Sequence, residues 1–160
     1  MSDQVSEIKI YTDGAARGNP GKGGYGVVLL WGKHIKELSA GYRLTTNNRM
    51  ELMAVIAALE ALKKTNLNVI IYSDSNYVVK AFTEGWLKKW IRTNFKGNIK
   101  NRDLWERFDA LSKNHRIQFK WVKGHAENTY NNRCDILATQ AADGHGLLVD
   151  EGYENEKKLY

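Results

Sequence analysis

A single cysteine, Cys134, stands among 160 residues, so neither an internal disulfide nor a cysteine-based zinc site can form. One proline, Pro20, leaves no Pro-rich linker, and no low-complexity tract or internal repeat is present. No uninterrupted apolar run approaches the roughly 20 residues that cross a bilayer. Met1 to Glu7 is polar and has no apolar h-region of a secretory signal. These absences point to a cytoplasmic protein with no membrane attachment. With 42% hydrophobic residues, the chain can build a core, and its length is that of one domain. The expectation is a single domain over residues 1–160. Its core would occupy about 7–143, and an acidic, polar tail over 144–160 shows no helical period. Acids are also scarce in one internal stretch: Lys80 to Arg133 holds 13 Lys/Arg against five Asp/Glu. That is +8 locally; with +6 for the whole chain, the remainder is −2. Such a segment suits a polyanionic partner, although an ordinary solvated surface has the same composition.

Hydrophobic spacing gives the order of elements. Glu7 to Asp13 alternates as a strand, and glycine-rich Gly14 to Gly24 reads as a turn region. Tyr25 to Trp31 and His34 to Tyr42 form two more strands joined at Gly32-Lys33, completing an antiparallel meander. Asn47 or Asn48 can cap a helix to about Lys64, buried through Leu52, Val55, Ile56, Leu59 and Leu62. Asn68 to Asp74 is a nearly continuous apolar strand. Helices then follow at Ser75 to Thr83, Gly85 to Phe95 and Asp103 to Ser112, a strand at Ile117 to Val122, and a last helix from Asn131 to Ala142. The order β-β-β-α-β-α-α-α-β-α implies an α/β fold, a mixed sheet with helices on its faces.

Four acids occupy positions suited to chemistry. Asp13 and Asp74 end strands, where ligands gather in mixed α/β sheets. Glu51 lies in the first turns of the long helix, beside its apolar stripe, and Asp135 near the start of the last. Each has a plainer reading: Asp13 as a turn residue, Asp74 as part of a helix cap, Glu51 and Asp135 as complements to a helix dipole. Four such acids together would repel one another unless cations neutralised them. Oxygen-only ligation favours Mg²⁺ or Mn²⁺ over zinc.

Several blocks resemble the signature of type 1 ribonuclease H, in that family's order and spacing, between Ile8 and Ala142. They are Thr12-Asp13-Gly14, Gly18 to Gly21, Thr45 to Met53 (TTNNRMELM), Ser73 to Ser75, Trp121 to His125 (WVKGH) and Asn131 to Ala138. The resemblance implies a ribonuclease-H-like fold with a five-stranded mixed sheet, a three-strand antiparallel meander plus parallel strands. It implies an endonuclease that cuts the RNA strand of RNA–DNA hybrids by a two-metal mechanism, leaving 5′-phosphate and 3′-hydroxyl ends. Asp13 would bridge two Mg²⁺ ions. Asp135 would complete the water-activating site, and Glu51 with Asp74 the site at the leaving oxygen. His125 matches a histidine that assists proton transfer. Asn19, Asn47, Asn48 and Asn76 match RNA contacts, and Thr46 a contact to a DNA-strand phosphate. Trp86, Lys88, Lys89 and Arg92 resemble the basic protrusion of bacterial members, with Trp86 and Trp90 packing it onto its neighbour. The family suggests a monomer.

The resemblance departs at the loop after His125 (AENTYNNRCD), at Asn132, where an acid is usual, and at Leu44, where some relatives carry an arginine beside the Arg43 position. The Gly97 to Lys100 connection is also short. A non-cleaving hybrid or double-stranded RNA binder would lack one of the four acids. A resolvase or transposase core would lack TTNNRMELM and the basic handle, and a small-molecule phosphatase would not need the +8 segment.

Overall fold

The computed structural model describes residues 7–123 and 128–158. Strands β1 (Glu7–Arg17), β2 (Gly21–Trp31), β3 (His34–Thr45), β4 (Asn68–Ser73) and β5 (Arg116–Trp121) form one sheet in the order β3-β2-β1-β4-β5. The first three pair antiparallel, whereas β1–β4 and β4–β5 are parallel. This is the five-stranded mixed sheet that the resemblance implied. Helices α1 (Asn47–Glu60), α2 (Asn76–Thr83), α3 (Trp86–Arg92), α4 (Arg102–Ser112), α5 (Thr129–Ala142) and α6 (Glu151–Lys158) surround it.

Alternation along β1 assigns its two faces. Ile8 and Ile10 enter the main core with α1, while Tyr11 joins Val28 and Cys134 on the α5 face. Leu52, Val55 and Ile56 of α1 are fully buried, each contributing about 1.5–3 kcal/mol. On the opposite face, a Cβ at Gly24, Gly26 or Gly41 would collide with the backbone of α5. Those glycines let α5 lie directly on the sheet.

Three expectations need correction. The stretch Gly14 to Gly24 is mostly strand: Gly14, Ala15 and Ala16 pair with Tyr25, Gly24 and Gly23, so the turn shrinks to Gly18–Pro20. Ladder pairing here outweighs the turn preference of glycine. The cap of α1 is Thr46, whose hydroxyl accepts the Arg49 N–H at 3.2 Å, and the helix ends at Glu60, short of Lys64. The tail contains helix α6, held by tertiary contacts that its weak apolar pattern does not reveal. Asp150, just ahead of α6, is 3% exposed and accepts from Arg49 Nε at 2.8 Å and Nη2 at 2.9 Å. Thr45 Oγ1 donates to the same carboxylate at 2.7 Å. Arg49 also reaches Asp103 at the start of α4, at 2.8 and 2.7 Å.

Candidate active site

The parallel register between β1 and β4 brings two of the acids together. Tyr11 pairs with Tyr72 and Thr12 with Ser73, so Asp13 and Asp74 are the next residues of neighbouring strands. Stacked rings of Tyr11 and Tyr72, 4.5 Å apart and 8° from parallel, secure that register directly below the acids. Asp74 is not the cap of α2; the Ser75 hydroxyl is, accepting the Val78 N–H at 3.2 Å. Asp74 lines the acidic cleft.

Glu51 enters from α1, one turn past the Thr46 cap. The close approach of α1 to β1 at Gly14 lets the Gly14 N–H donate to Glu51 Oε1, and the same N–H reaches Asp13 Oδ1 at 2.9 Å. One oxygen from each of Asp13, Glu51 and Asp74 lies within 4.8 Å of the others. Asp135 from α5 lines the same cleft of about 450 Å³ and raises the Asp13 pKa by its charge, but stands outside this tight triad. All four acids named by the sequence therefore meet in one place.

Their electrostatics reflect crowding in a poorly hydrated site. Burial first, then the charge of Asp74, pushes the Asp13 carboxyl up to about 7. Burial and the negative charges of Asp13 and Asp74 hold Glu51 well above the usual carboxylate range. Asp13 and Glu51 also share a hydrogen bond, which one of them can donate only when protonated. A cluster that resists ionisation on its own is one that a hard divalent cation would satisfy. The donor set, all carboxylate oxygen, fits that ion.

The amides named by the sequence divide between two clefts. Asn47 and Asn76 line the acidic one, and Asn48 lines both. Asn47 Oδ1 accepts the Ala16 N–H at 2.7 Å, while its own N–H donates to Asn19 Oδ1 at 3.1 Å, tying the Gly18–Pro20 turn to α1. Asn19 and Thr46 face a second cleft of about 670 Å³, also lined by Lys100, Asn101, Tyr153 and Glu156. On α3, Lys88, Lys89 and Arg92 are exposed and form no ion pair among the described residues. Trp90 packs against Trp105 with centroids 5.5 Å apart, as expected. Trp86 does not share that role, being 43% exposed. His125 lies outside the described residues.

Sequence reasoning missed Arg49, Asp103 and Asp150. Arg49 is 1% exposed; burial alone would lower its pKa, but the carboxylates of Asp103 and Asp150 outweigh that and raise it. An arginine directly after two helix-starting asparagines was the available signal. Arg43 is bound to Glu154 of α6 at 2.8 Å through Nε and Nη2.

Comparison with known proteins agrees with this geometry. The family model described as RNase H matches residues 5–143. The ribonuclease H of Syntrophus aciditrophicus (strain SB) is 54% identical over 155 residues, covering 94% of this chain and 89% of that relative. The ribonuclease H of Rippkaea orientalis is 51% identical, covering 98% of each chain. Among solved structures, LC9-RNase H1, a type 1 RNase H with the type 2 active-site motif, superimposes with a TM-score of 0.78. It is 31% identical and covers 94% of this chain and 80% of its own. LC11-RNase H1, solved in complex with RNA/DNA hybrid, has a TM-score of 0.67 at 28% identity, over 85% of this chain and 96% of its own.

Proposed function

The chain belongs to the ribonuclease H family, and on that premise we propose that it hydrolyses the RNA strand of RNA–DNA hybrids, leaving 5′-phosphate and 3′-hydroxyl ends. The observation that carries the reading is the triad of Asp13, Glu51 and Asp74 oxygens within 4.8 Å of one another, with Asp135 in the same cleft. Asp13, Glu51, Asp74 and Asp135 would hold two Mg²⁺ ions, with Mn²⁺ as substitute. When bound, such ions supply charge neutralisation for the attacking and leaving oxygens of an in-line displacement.

The chain's own groups do the positioning. The Gly14 N–H fixes both Asp13 and Glu51, so two of the acids are oriented by a backbone donor that cannot swing away. Asn48 and Asn76 present amides beside the acids, in reach of 2′-hydroxyls and base edges of an RNA strand. The exposed cations of α3 extend the contact along the duplex as phosphate anchors. His125 is assigned proton transfer and product departure, as its motif implies. The same proposal has the protein acting as a cytoplasmic, single-domain monomer, and the four acids all come from one chain. No described helix is long and apolar enough to cross a membrane.

End-labelled hybrid incubated with the protein and Mg²⁺ tests this reading. The RNA fragments should accept extension by a polymerase at their 3′ ends and ligation at their 5′ ends. Asp13→Asn should yield no fragments. Products with cyclic or 3′-phosphate ends would overturn the metal-dependent assignment.

A further inference from the structure

Trp121 opens the WVKGH block, and the proposed chemistry gives it no task. Core packing does not account for it, since it is 51% exposed at the last paired position of β5. Its indole N–H, the only strong hydrogen-bonding group of the side chain, donates across to the Asp74 carbonyl at 3.3 Å.

That bond falls where the backbone ladder stops. Ser73 is the last residue of β4 to pair with β5, opposite Trp121, and its carbonyl accepts the Val122 N–H at 2.9 Å. One residue farther on, the Asp74 carbonyl takes a side-chain donor instead. The same peptide unit ends in the Ser75 N–H, which donates to Ser73 Oγ at 3.1 Å. The Asp74–Ser75 peptide plane is therefore held at both ends, its oxygen by Trp121 and its hydrogen by Ser73. A peptide unit is rigid. The ladder fixes the chain up to Ser73 and this plane fixes it after Asp74, so the Cα–Cβ bond of Asp74 has one direction. It is the direction that brings a carboxylate oxygen within 4.8 Å of oxygens of Asp13 and Glu51. Those two acids are oriented by the Gly14 N–H. Asp74 meets them against like-charge repulsion, and an anchored backbone resists that push.

We propose that Trp121 is a positioning residue for the metal site, its indole N–H locking the Asp74–Ser75 plane so that the Asp74 carboxylate is presented to a divalent cation. The cation rests on the metal-nuclease reading, whereas the lock does not. Trp121→Phe keeps an aromatic ring and removes the donor. Trp121→His restores a donor, because histidine Nε2 lies as many bonds from Cα as tryptophan Nε1, in a ring of the same size. The readouts are taken at about pH 7.5, where a histidine of ordinary pKa is neutral. They are hydrogen exchange of the Ser75 amide in EDTA by NMR, the Mn²⁺ Kd without substrate from the electron paramagnetic resonance of the free ion, and kcat and KM for hybrid cleavage in Mg²⁺.

Trp121→Phe should speed Ser75 exchange about tenfold, the worth of one hydrogen bond. It should weaken Mn²⁺ binding and lower kcat about tenfold each, the scale on which a group supporting a metal ligand acts. KM should stay within about twofold, because the nucleic acid is not touched. Trp121→His should return exchange, Mn²⁺ Kd and kcat to within about threefold of the parent. Parent-like exchange, Mn²⁺ affinity and kcat in Trp121→Phe would overturn the proposal. So would equal losses in both variants, which would assign the effect to the bulk of the indole. A change confined to KM would overturn it too, by placing Trp121 on the nucleic acid. A parent that binds Mn²⁺ and cuts no hybrid would sink the nuclease reading, while the exchange and Mn²⁺ order of the variants would still decide for or against Trp121.

Discussion

Asp13 must be an anion to ligate a cation, yet the fold buries it beside Asp74 and hydrogen-bonds it to Glu51. Its carboxyl is raised from the ordinary 3.8 to about 7. A group whose folded pKa is raised contributes stability that is complete below its unfolded pKa and is lost as pH rises through the folded one. Without metal, the parent protein therefore carries a cost that is absent below about pH 3 and complete above about pH 8. Asp13→Asn removes that cost. In EDTA the variant should exceed the parent in stability by about 4 kcal/mol at pH 8.5, with the difference vanishing below about pH 3. Urea unfolding at several pH values measures this; a stability gap independent of pH would show that Asp13 is not strained by its neighbours. Mg²⁺ should raise the Tm of the parent and leave that of the variant nearly unchanged, because one of the proposed metal ligands is gone. At this scale much of the site was legible in the sequence. The sequence assigned all four acids to the right elements, although Asp13 lies inside β1 and Asp135 midway along α5 rather than at an end. Arg49 was not legible, because its partners Asp103 and Asp150 are 54 and 101 residues away and nothing local marks them.

Elements show the complementary pattern. Strands and helices with a clean apolar period, such as β4 and α1, came through with ends shifted by a few residues, since packing alone sets their identity. The tail did not, because α6 is held by ion pairs rather than by an apolar stripe. Arg49 is the hub of that arrangement. Arg49→Met would leave the carboxylate of Asp150 buried without its partner, and should cost about 3–5 kcal/mol. Adding Asp150→Asn should restore a large part, because the orphaned charge is removed. Urea titration of both single variants and the double variant checks this, and losses that simply add would mean that the pair has no energetic coupling. The handle α3 makes a different kind of contribution. Replacing Lys88, Lys89 and Arg92 together with Ala should raise KM for hybrid and reduce the magnitude of the log–log salt slope by about 2–3, with kcat little changed. An unchanged slope would place α3 away from the nucleic acid.

Across the whole molecule, the net charge of +6 hides a division of labour. Acids converge in a crowded cleft, while cations concentrate between Lys80 and Arg133, with α3 carrying three of them into solvent. On the proposed reading, a polyanion is drawn to the second feature and becomes reactive only at the first, and only if the strand at the acids presents 2′-hydroxyls to the neighbouring amides. Double-stranded RNA meets the second condition on both strands but presents a ribose backbone where the family resemblance expects a DNA-strand phosphate, at Thr46. Double-stranded DNA fails at the amides. The most direct measurement is therefore cleavage, on a gel, of four labelled substrates of one sequence: hybrid, double-stranded RNA, double-stranded DNA and single-stranded RNA. Each is incubated in Mg²⁺ with an EDTA control. The account predicts rapid cutting confined to the RNA strand of the hybrid, abolished by EDTA. Cleavage of double-stranded RNA at the rate of the hybrid, or tight binding of hybrid with no cutting in Mg²⁺ or Mn²⁺, would contradict it.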